Sequence, residues 1–198
     1  MNPPPINNLP RTLLAPRSFL RPIMIGEGLT EQQYEKFEQK RGYKTQCGKV
    51  LSVLLGASLN TIRCGWGKTL DFETMPEQHR YTLRYIESAE ISVRYAIQIR
   101  SGAYKPKSLS PQKFLTYVLG LDKLSTSERE TRLSEYRFFY ECARALAAAT
   151  GMEYETVLGW GNDIRFHKMP SEHERTLWYA SEAIKVSINQ AAKQLVAA

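Results

Sequence analysis

The segment GWGKTLDFETMPEQHRYTLRY at residues 65–85 returns as GWGNDIRFHKMPSEHERTLWY at residues 159–179. The shared positions, all 94 residues apart, are a Gly-Trp-Gly, a Phe, a Met-Pro, a His, a Thr-Leu and a Tyr. Upstream the separation becomes 95 residues, because the first copy holds one extra residue between Ile62 and Trp66. The upstream pairs include Cys47 with Cys142, Leu51 with Leu146, Gly56 with Gly151, and Ile62 with Val157. The repeat predicts a tandem duplication of one helical module, and such a repeat governs the prediction of the fold.

Apolar periodicity and glycine positions indicate an all-α protein in which each copy has a helix-turn-helix-like core and a long C-terminal helix. The helices expected in the first copy cover residues 31–41, 45–55, 58–66 and 77–99. Those expected in the second copy are a short helix from Ser110-Pro111, a run from Ser125 or Ser127 through Ala149, a short helix ending at Trp160, and residues 171–195. No segment sustains the two-residue alternation of a strand.

Composition shifts divide the chain into four parts. Residues 1–28 form a Pro-rich basic arm, residues 29–100 the first module, residues 101–110 a linker, and residues 111–198 the second module. Six of the ten prolines lie in the arm, where they disfavour a long helix or a central strand.

The arm carries three arginines, Arg11, Arg17 and Arg21, against one acidic residue, Glu27. One interpretation is an extended segment that packs on the first module or hangs loose from it, as chain termini commonly do. The other is a basic arm that follows a nucleic-acid backbone or groove. The sequence favours the first interpretation, and the three arginines remain candidates for DNA contact.

The junction at each repeated glycine resembles the helix-turn-helix of bacterial and phage regulators. In both copies a helix with a small residue, Ser52 or Ala147, ends at a glycine, and a Thr followed by Ile or Val comes next. Glycine supplies the positive φ that a tight turn requires. The resemblance covers residues 50–66 and 145–160 and implies that the short second helix enters the major groove. A plain helical hairpin with a glycine turn is the alternative.

The first copy carries the side chains suited to DNA. Asn and Arg can bind base edges in a bidentate manner, and Ser, Thr and Lys suit phosphates. The candidates are Lys49, Ser58, Asn60, Thr61, Arg63 and Lys68. The second copy has Glu153 and Glu155 in the matching stretch, and Arg165 and Lys168 only partly offset these charges. We therefore expect an asymmetric pair, in which the second copy binds DNA differently or contacts protein.

The repeated residues themselves are expected to form the core rather than a catalytic or metal site. They are Trp66, Trp160, Met75, Met169, His79 and His173. Each His follows a Met-Pro in the first turn of a helix, where capping or packing on Trp is more common than metal binding. No carboxylate pair, Walker loop or nucleophile elbow recurs, so we expect neither an enzyme nor a cofactor nor a metal. Cys47 and Cys142 are expected to be small buried residues in a reducing compartment.

The net charge of +7, of which residues 1–100 contribute +5, fits nucleic-acid binding without requiring it. The favoured function is duplex-DNA binding by a cytoplasmic prokaryotic or phage protein, as a regulator or part of a DNA-handling assembly. The alternative is a helical adaptor that binds protein, and RNA stays open as a third ligand. The long helices and the second copy could bind a second chain or another protein. No apolar run is long enough for a membrane span.

Overall fold

The computed structural model describes residues 5–197, with side chains described through residue 194. Every regular element in that range is helical, so the all-α prediction is confirmed. The chain forms two compact units. The N-terminal unit is Thr12–Pro106, and the C-terminal unit combines the segment ending at Arg11 with the chain from Lys107 onward. Within the described part, no helix has both the length and the apolar character needed to cross a membrane.

The N-terminal unit is built around α3, which packs against α6 and against a π-helical turn. Its elements are α1 Pro16–Met24, α2 Glu31–Glu38, α3 Tyr43–Leu55, the π-helical turn Thr61–Trp66, α4 Glu77–Ser88, α5 Ile91–Arg94 and α6 Ala96–Ser101. The predicted capping box at the start of α2 is confirmed, because the Thr30 hydroxyl accepts from the Gln33 N–H and the Gln33 side chain accepts from the Thr30 N–H.

The C-terminal unit is built around α11, which packs against α7, α9 and a short 3-10 helix from the beginning of the chain. Its elements are that 3-10 helix Pro5–Asn8, α7 Pro111–Val118, a second 3-10 helix Leu121–Lys123, α8 Thr126–Ser134, α9 Tyr136–Thr150, α10 Tyr154–Leu158 and α11 Ser171–Ala197. The 3-10 helix is anchored by Pro5 and Leu9, both of which are buried.

Part of the arm predicted over residues 1–28 is helical rather than extended. Residues 16–24 form α1, whose apolar face buries Phe19, Leu20 and Ile23. Pro16 is the first helical residue, where a missing N–H costs nothing and the fixed φ suits the helix. Pro16 therefore marks a helix start, and Pro22 is accommodated inside the same helix. Residues 1–4 lie outside the described part.

The long helix predicted over residues 77–99 is broken after Ser88. Glu90 adopts a left-handed conformation with φ of 57°, and α5 and α6 follow. The Arg94 guanidinium donates to the Ala89 carbonyl oxygen at 3.0 Å and so supports the break. The position 94 residues later is Ile184, a buried β-branched residue for which positive φ is costly, and α11 runs through it without interruption.

The single helical run predicted from Ser125 or Ser127 through Ala149 is also divided. Glu135 has an extended backbone with ψ of 121° and separates α8 from α9. Arg132 binds the carboxylates of Glu135 and Glu141 across this break. Ser125 caps α8, since its hydroxyl accepts from the Glu128 N–H. At this division the Tyr136 side chain lies on the surface, at the beginning of α9.

The two units share several local geometries at matched positions. Phe72 and Phe166 both have positive φ, at 50° and 43°. The ring centroids of Trp66 and His79 are 4.6 Å apart, and those of Trp160 and His173 are 5.0 Å apart. Met75 is buried, and Met169 is half-buried. The elements match as well: Pro16 and Pro111 begin α1 and α7, and Thr30 and Ser125 cap α2 and α8, with 95 residues between the members of each pair.

Buried polar groups at these positions are held in their neutral forms. Burial lowers the pKa of His173, so its imidazole is favoured as the uncharged form that packs on Trp160. Burial raises the pKa of the Cys47 and Cys142 thiols to about 12. Both thiols therefore stay protonated and act as small core side chains. No three His, Cys, Asp or Glu side chains of the described residues gather to hold a metal ion.

A buried ion cluster joins α1 to α2 in the N-terminal unit. The Glu38 side chain is only 3% exposed, and it accepts from Arg17 at 2.5 Å and from Arg21 at 2.8 Å. Burial raises the pKa of the Glu38 carboxyl, but the hydrogen bonds from both arginines outweigh burial and bring the pKa to about 2. Arg17 also reaches Asp71, and Arg21 reaches Glu31. The cluster fixes α1 on the unit.

We expect Glu38→Gln to lower the free energy of unfolding by ~2 kcal/mol at pH 7, because it leaves two arginines without their shared carboxylate. The folded pKa of Glu38 is lowered, so its contribution is complete above about pH 5 and is lost as the pH falls toward 2. Urea unfolding at pH 7 and pH 3 should therefore show a gap between mutant and wild type that narrows in acid. Glu35→Gln, on the exposed side of the same helix, is the control and should change little at either pH. A gap that is independent of pH would contradict this account.

Gly67 makes the closest backbone approach in the repeated segment. A Cβ there would lie 2.8 Å from the Ile62 carbonyl oxygen and 3.1 Å from the Phe72 ring. We expect Gly67→Ala to destabilise the protein by about 1–3 kcal/mol, since the backbone must shift to make room. Gly65→Ala is the control, because its Cβ would meet only the Thr61 methyl at 4.0 Å. Equal melting temperatures for the two variants would show that the close approach is unimportant.

Candidate nucleic-acid interface

The predicted turn between the two helices of the first junction is confirmed in its geometry. Gly56 ends α3 with φ of 76°, and Gly151 ends α9 with φ of 69°. The Ser52 hydroxyl donates to the Ala57 carbonyl oxygen at 2.8 Å across the turn. The Ser58 hydroxyl accepts from the Thr61 N–H at 3.0 Å, as expected of a cap for the short second helix.

The helix before the turn and the short helix after it approach each other closely at Gly48. A Cβ on Gly48 would lie 3.3 Å from the Leu59 side chain and 3.8 Å from that of Ile62. Ser52 is half-buried, and its hydroxyl forms a hydrogen bond across the turn. The position 95 residues later is Ala143, which is fully buried, so a small residue stands at the crossing in both units.

The one residue by which the two matched segments differ in length falls in the π-helical turn Thr61–Trp66. A π turn is a single widened turn that accommodates one more residue than an α turn. Ile62 and Trp66 thereby keep the burial of their counterparts: Ile62 and Val157 are both 0% exposed, and Trp66 and Trp160 are 7% and 6% exposed. The residues in between, Arg63, Cys64 and Gly65, are all exposed.

All six candidates of the first junction lie at the surface. Lys49, Ser58, Asn60, Thr61, Arg63 and Lys68 are each exposed. The Ser58 and Thr61 hydroxyls bond each other at 2.7 Å. The side-chain Oδ1 of Asn60 accepts from the Cys64 thiol at 3.4 Å, a bond that does not use the side-chain N–H donors of Asn60. A ligand can therefore reach these side chains without rearrangement of the core.

Lys44 belongs with these residues, although the sequence did not single it out. Its ammonium donates to the Lys68 carbonyl oxygen at 2.8 Å, and it lies one helical turn before Gly48, beside which the Arg63 side chain packs. Lys44, Lys49, Arg63 and Lys68 are called the basic surface below. No local spacing marks Lys44 in the sequence, because its bond to Lys68 joins residues 24 positions apart.

The charge around this surface is one-sided. Residues 39–70 contain six Lys or Arg and no Asp or Glu. The matched residues 134–164 of the other copy contain two basic and five acidic residues. Exposed like charges that are gathered in one segment produce a positive field that attracts polyanions.

The arginines of the predicted arm do not extend this surface as free cations. Arg17 and Arg21 are bound to Glu38, with further bonds to Asp71 and Glu31. Arg11 is exposed but belongs to the C-terminal unit. The structure thus gives Arg17 and Arg21 a role in holding α1 in place.

The corresponding surface of the C-terminal unit is aromatic and acidic. Glu153, Glu155 and Thr156 are exposed around α10. On α9 the Tyr136 side chain is 78% exposed, and its hydroxyl bonds that of Tyr140 at 2.7 Å. This surface lacks the cationic character that a phosphate backbone needs.

Comparison with known proteins adds nothing to this description. No family model matches the chain, and neither a curated protein nor a solved structure matches it. The resemblance to helix-turn-helix regulators rests on the junctions at Gly56 and Gly151 alone, and any function is argued from the geometry of this chain.

Proposed function

We propose that the chain is a tandem duplication of one helical module whose first copy binds duplex DNA through the short helix that follows Gly56. The observation that carries the proposal is the exposed basic surface together with the absence of carboxylates from residues 39–70. The matched elements and local geometries of the two units support the duplication. In this proposal the protein acts in the cytoplasm as a regulator or as part of a DNA-handling assembly.

The short helix offers the groups that DNA recognition uses. The Asn60 amide and the Arg63 guanidinium suit base edges in the major groove, because each can make bidentate contacts. Lys44, Lys49 and Lys68 suit the phosphates that flank the groove. With a positive surface on one copy only, one molecule would occupy one half-site, and a palindromic target is not required.

The second copy has a different role in this proposal. Its exposed Tyr136 and half-buried Tyr140 are typical of protein interfaces, in which aromatic residues are enriched over the rest of the surface. The acidic residues around α10 disfavour phosphate contact. This surface is also what favours the alternative function, a helical adaptor that binds protein without DNA. A partner protein or a second copy of the chain would bind there or along the exposed part of α11.

We expect wild-type protein to bind random-sequence duplex DNA with micromolar or tighter affinity, weakening steeply as salt rises. In Lys49→Gln/Lys68→Gln the slope of log K against log salt should fall by about 2, because two phosphate-neutralising charges are removed. Fluorescence anisotropy across a salt series measures both affinity and slope.

The control is Arg100→Gln/Lys193→Gln, which removes the same charge from exposed positions outside the basic surface. If both variants weaken binding equally, the net charge of the protein and not the basic surface governs the interaction. If wild-type protein fails to bind even at low salt, the DNA-binding proposal is wrong and the adaptor function takes its place.

A further inference from the structure

The C-terminal unit contains a cavity of about 440 Å³ between α7, α8, α9 and the loop that follows α10. Its walls are mostly apolar, and two carboxamides lie among its lining residues. The apolar lining residues are Leu133, Phe138, Phe139 and Ile164, and the two carboxamides belong to Gln112 and Asn162. The volume lies within the range of sites for small organic molecules and exceeds the space that one buried side chain fills.

The matched place in the N-terminal unit is filled by ion pairs. Gln112 stands at the position of Arg17, and Leu133 stands at the position of Glu38. In the N-terminal unit the Arg17 guanidinium crosses this space to Glu38 at 2.5 Å and to Asp71 at 3.3 Å. The C-terminal unit has lost both partners of the buried pair, so the same arrangement of helices leaves its groove open.

The two charged residues that line the cavity, Asp163 and Arg165, neutralise each other. The Arg165 guanidinium donates to the Asp163 carboxylate at 2.5 Å and 3.0 Å. Those hydrogen bonds lower the pKa of Asp163 and keep it ionised beside its partner. A charged occupant would find no unpaired counter-charge among these two residues, which favours an uncharged ligand.

The aromatic and amide side chains of the walls favour a planar ring as the ligand. Phe139 is half-buried and stacks on Phe166 with ring centroids 5.4 Å apart and an angle of 12° between the planes. An aromatic wall binds another ring by stacking. The amides of Gln112 and Asn162 each provide both donors and an acceptor, which match the edge of a heterocycle that carries adjacent donors and acceptors.

We infer that the C-terminal unit binds an uncharged planar heterocycle with amide-like edges, of the nucleobase type, in the cavity between Leu133, Phe139 and Ile164. The ring can come from a free nucleoside or from a base of single-stranded nucleic acid. This site is separate from the basic surface and does not depend on duplex-DNA binding.

The test exchanges the lining of the two units. Gln112→Arg/Leu133→Glu transfers the Arg17–Glu38 pair into the C-terminal unit, and both positions are exposed enough to accept the changes. Gln190→Arg/Leu124→Glu makes the same two changes at exposed positions that do not line the cavity. The probes are adenosine, guanosine, cytidine and uridine, and a short single-stranded DNA oligonucleotide of mixed sequence. The readout is the methyl NMR signals of Ile164 and of the leucines.

We expect at least one nucleoside or the oligonucleotide to shift the Ile164 signal in a saturable manner in the wild-type protein and in the control. In Gln112→Arg/Leu133→Glu the affinity should fall by about 10-fold or more. A response to free nucleosides identifies a small-molecule site, and a response to the oligonucleotide alone identifies a strand-borne base.

Two results would overturn the inference. One is the lack of any saturable shift at millimolar concentrations of every probe. The other is equal binding by the exchanged variant and the control, which would place the probes elsewhere on the protein. Circular dichroism and the melting temperature are the controls for folding. Both should match wild type in the two variants, which shows that a loss of binding does not come from unfolding.

Discussion

The packing of a buried tryptophan on a histidine ring is the contact on which both junctions depend. A helix of five or six residues is unstable in isolation, because too few hydrogen bonds form to offset the cost of nucleation. The π-helical turn ending at Trp66 and helix α10 before Trp160 are both that short. Each is held at its end by Trp packed on a His from the first turn of the next long helix, and at its middle by a buried Ile62 or Val157. The outward side chains of the short helix are therefore free to differ between the copies.

The sequence predicted the parts of the fold that local chemistry determines. The all-helical class, the glycine turns at Gly56 and Gly151 and the caps at Thr30 and Ser58 follow from backbone preferences that a few neighbouring residues set. The break at Glu90 and the helix α1 were not predicted. The break is supported by a bond from the long Arg94 side chain, and α1 depends on contacts with residues distant in the sequence. In α1, three buried apolar residues and an ion cluster with α2 outweigh the expectation from clustered prolines.

The candidate surface was only partly visible in the sequence for the same reason. The six predicted side chains are exposed, but Lys44 joins them through a bond to the Lys68 backbone that no spacing rule describes. In the sequence Arg17 and Arg21 resemble free cations. In the structure both bind the carboxylate of Glu38, which lies outside their own helix. The Arg17–Glu38 pair fills its groove in the N-terminal unit, whereas Gln112 and Leu133 at the matched positions line an open cavity in the C-terminal unit.

The one-residue difference between the matched segments shows how a short helix can present a different surface while its core residues stay buried. In an α-helix one extra residue turns everything beyond it by about 100°, which would carry Trp66 off the core. The widened turn absorbs the residue instead, so Ile62 and Trp66 stay buried. The residues between Ile62 and Trp66 are exposed to solvent instead, and the first of these is Arg63. The insertion therefore enlarges the exposed end of the short helix and presents a cation there, where the other copy has a half-buried Leu158.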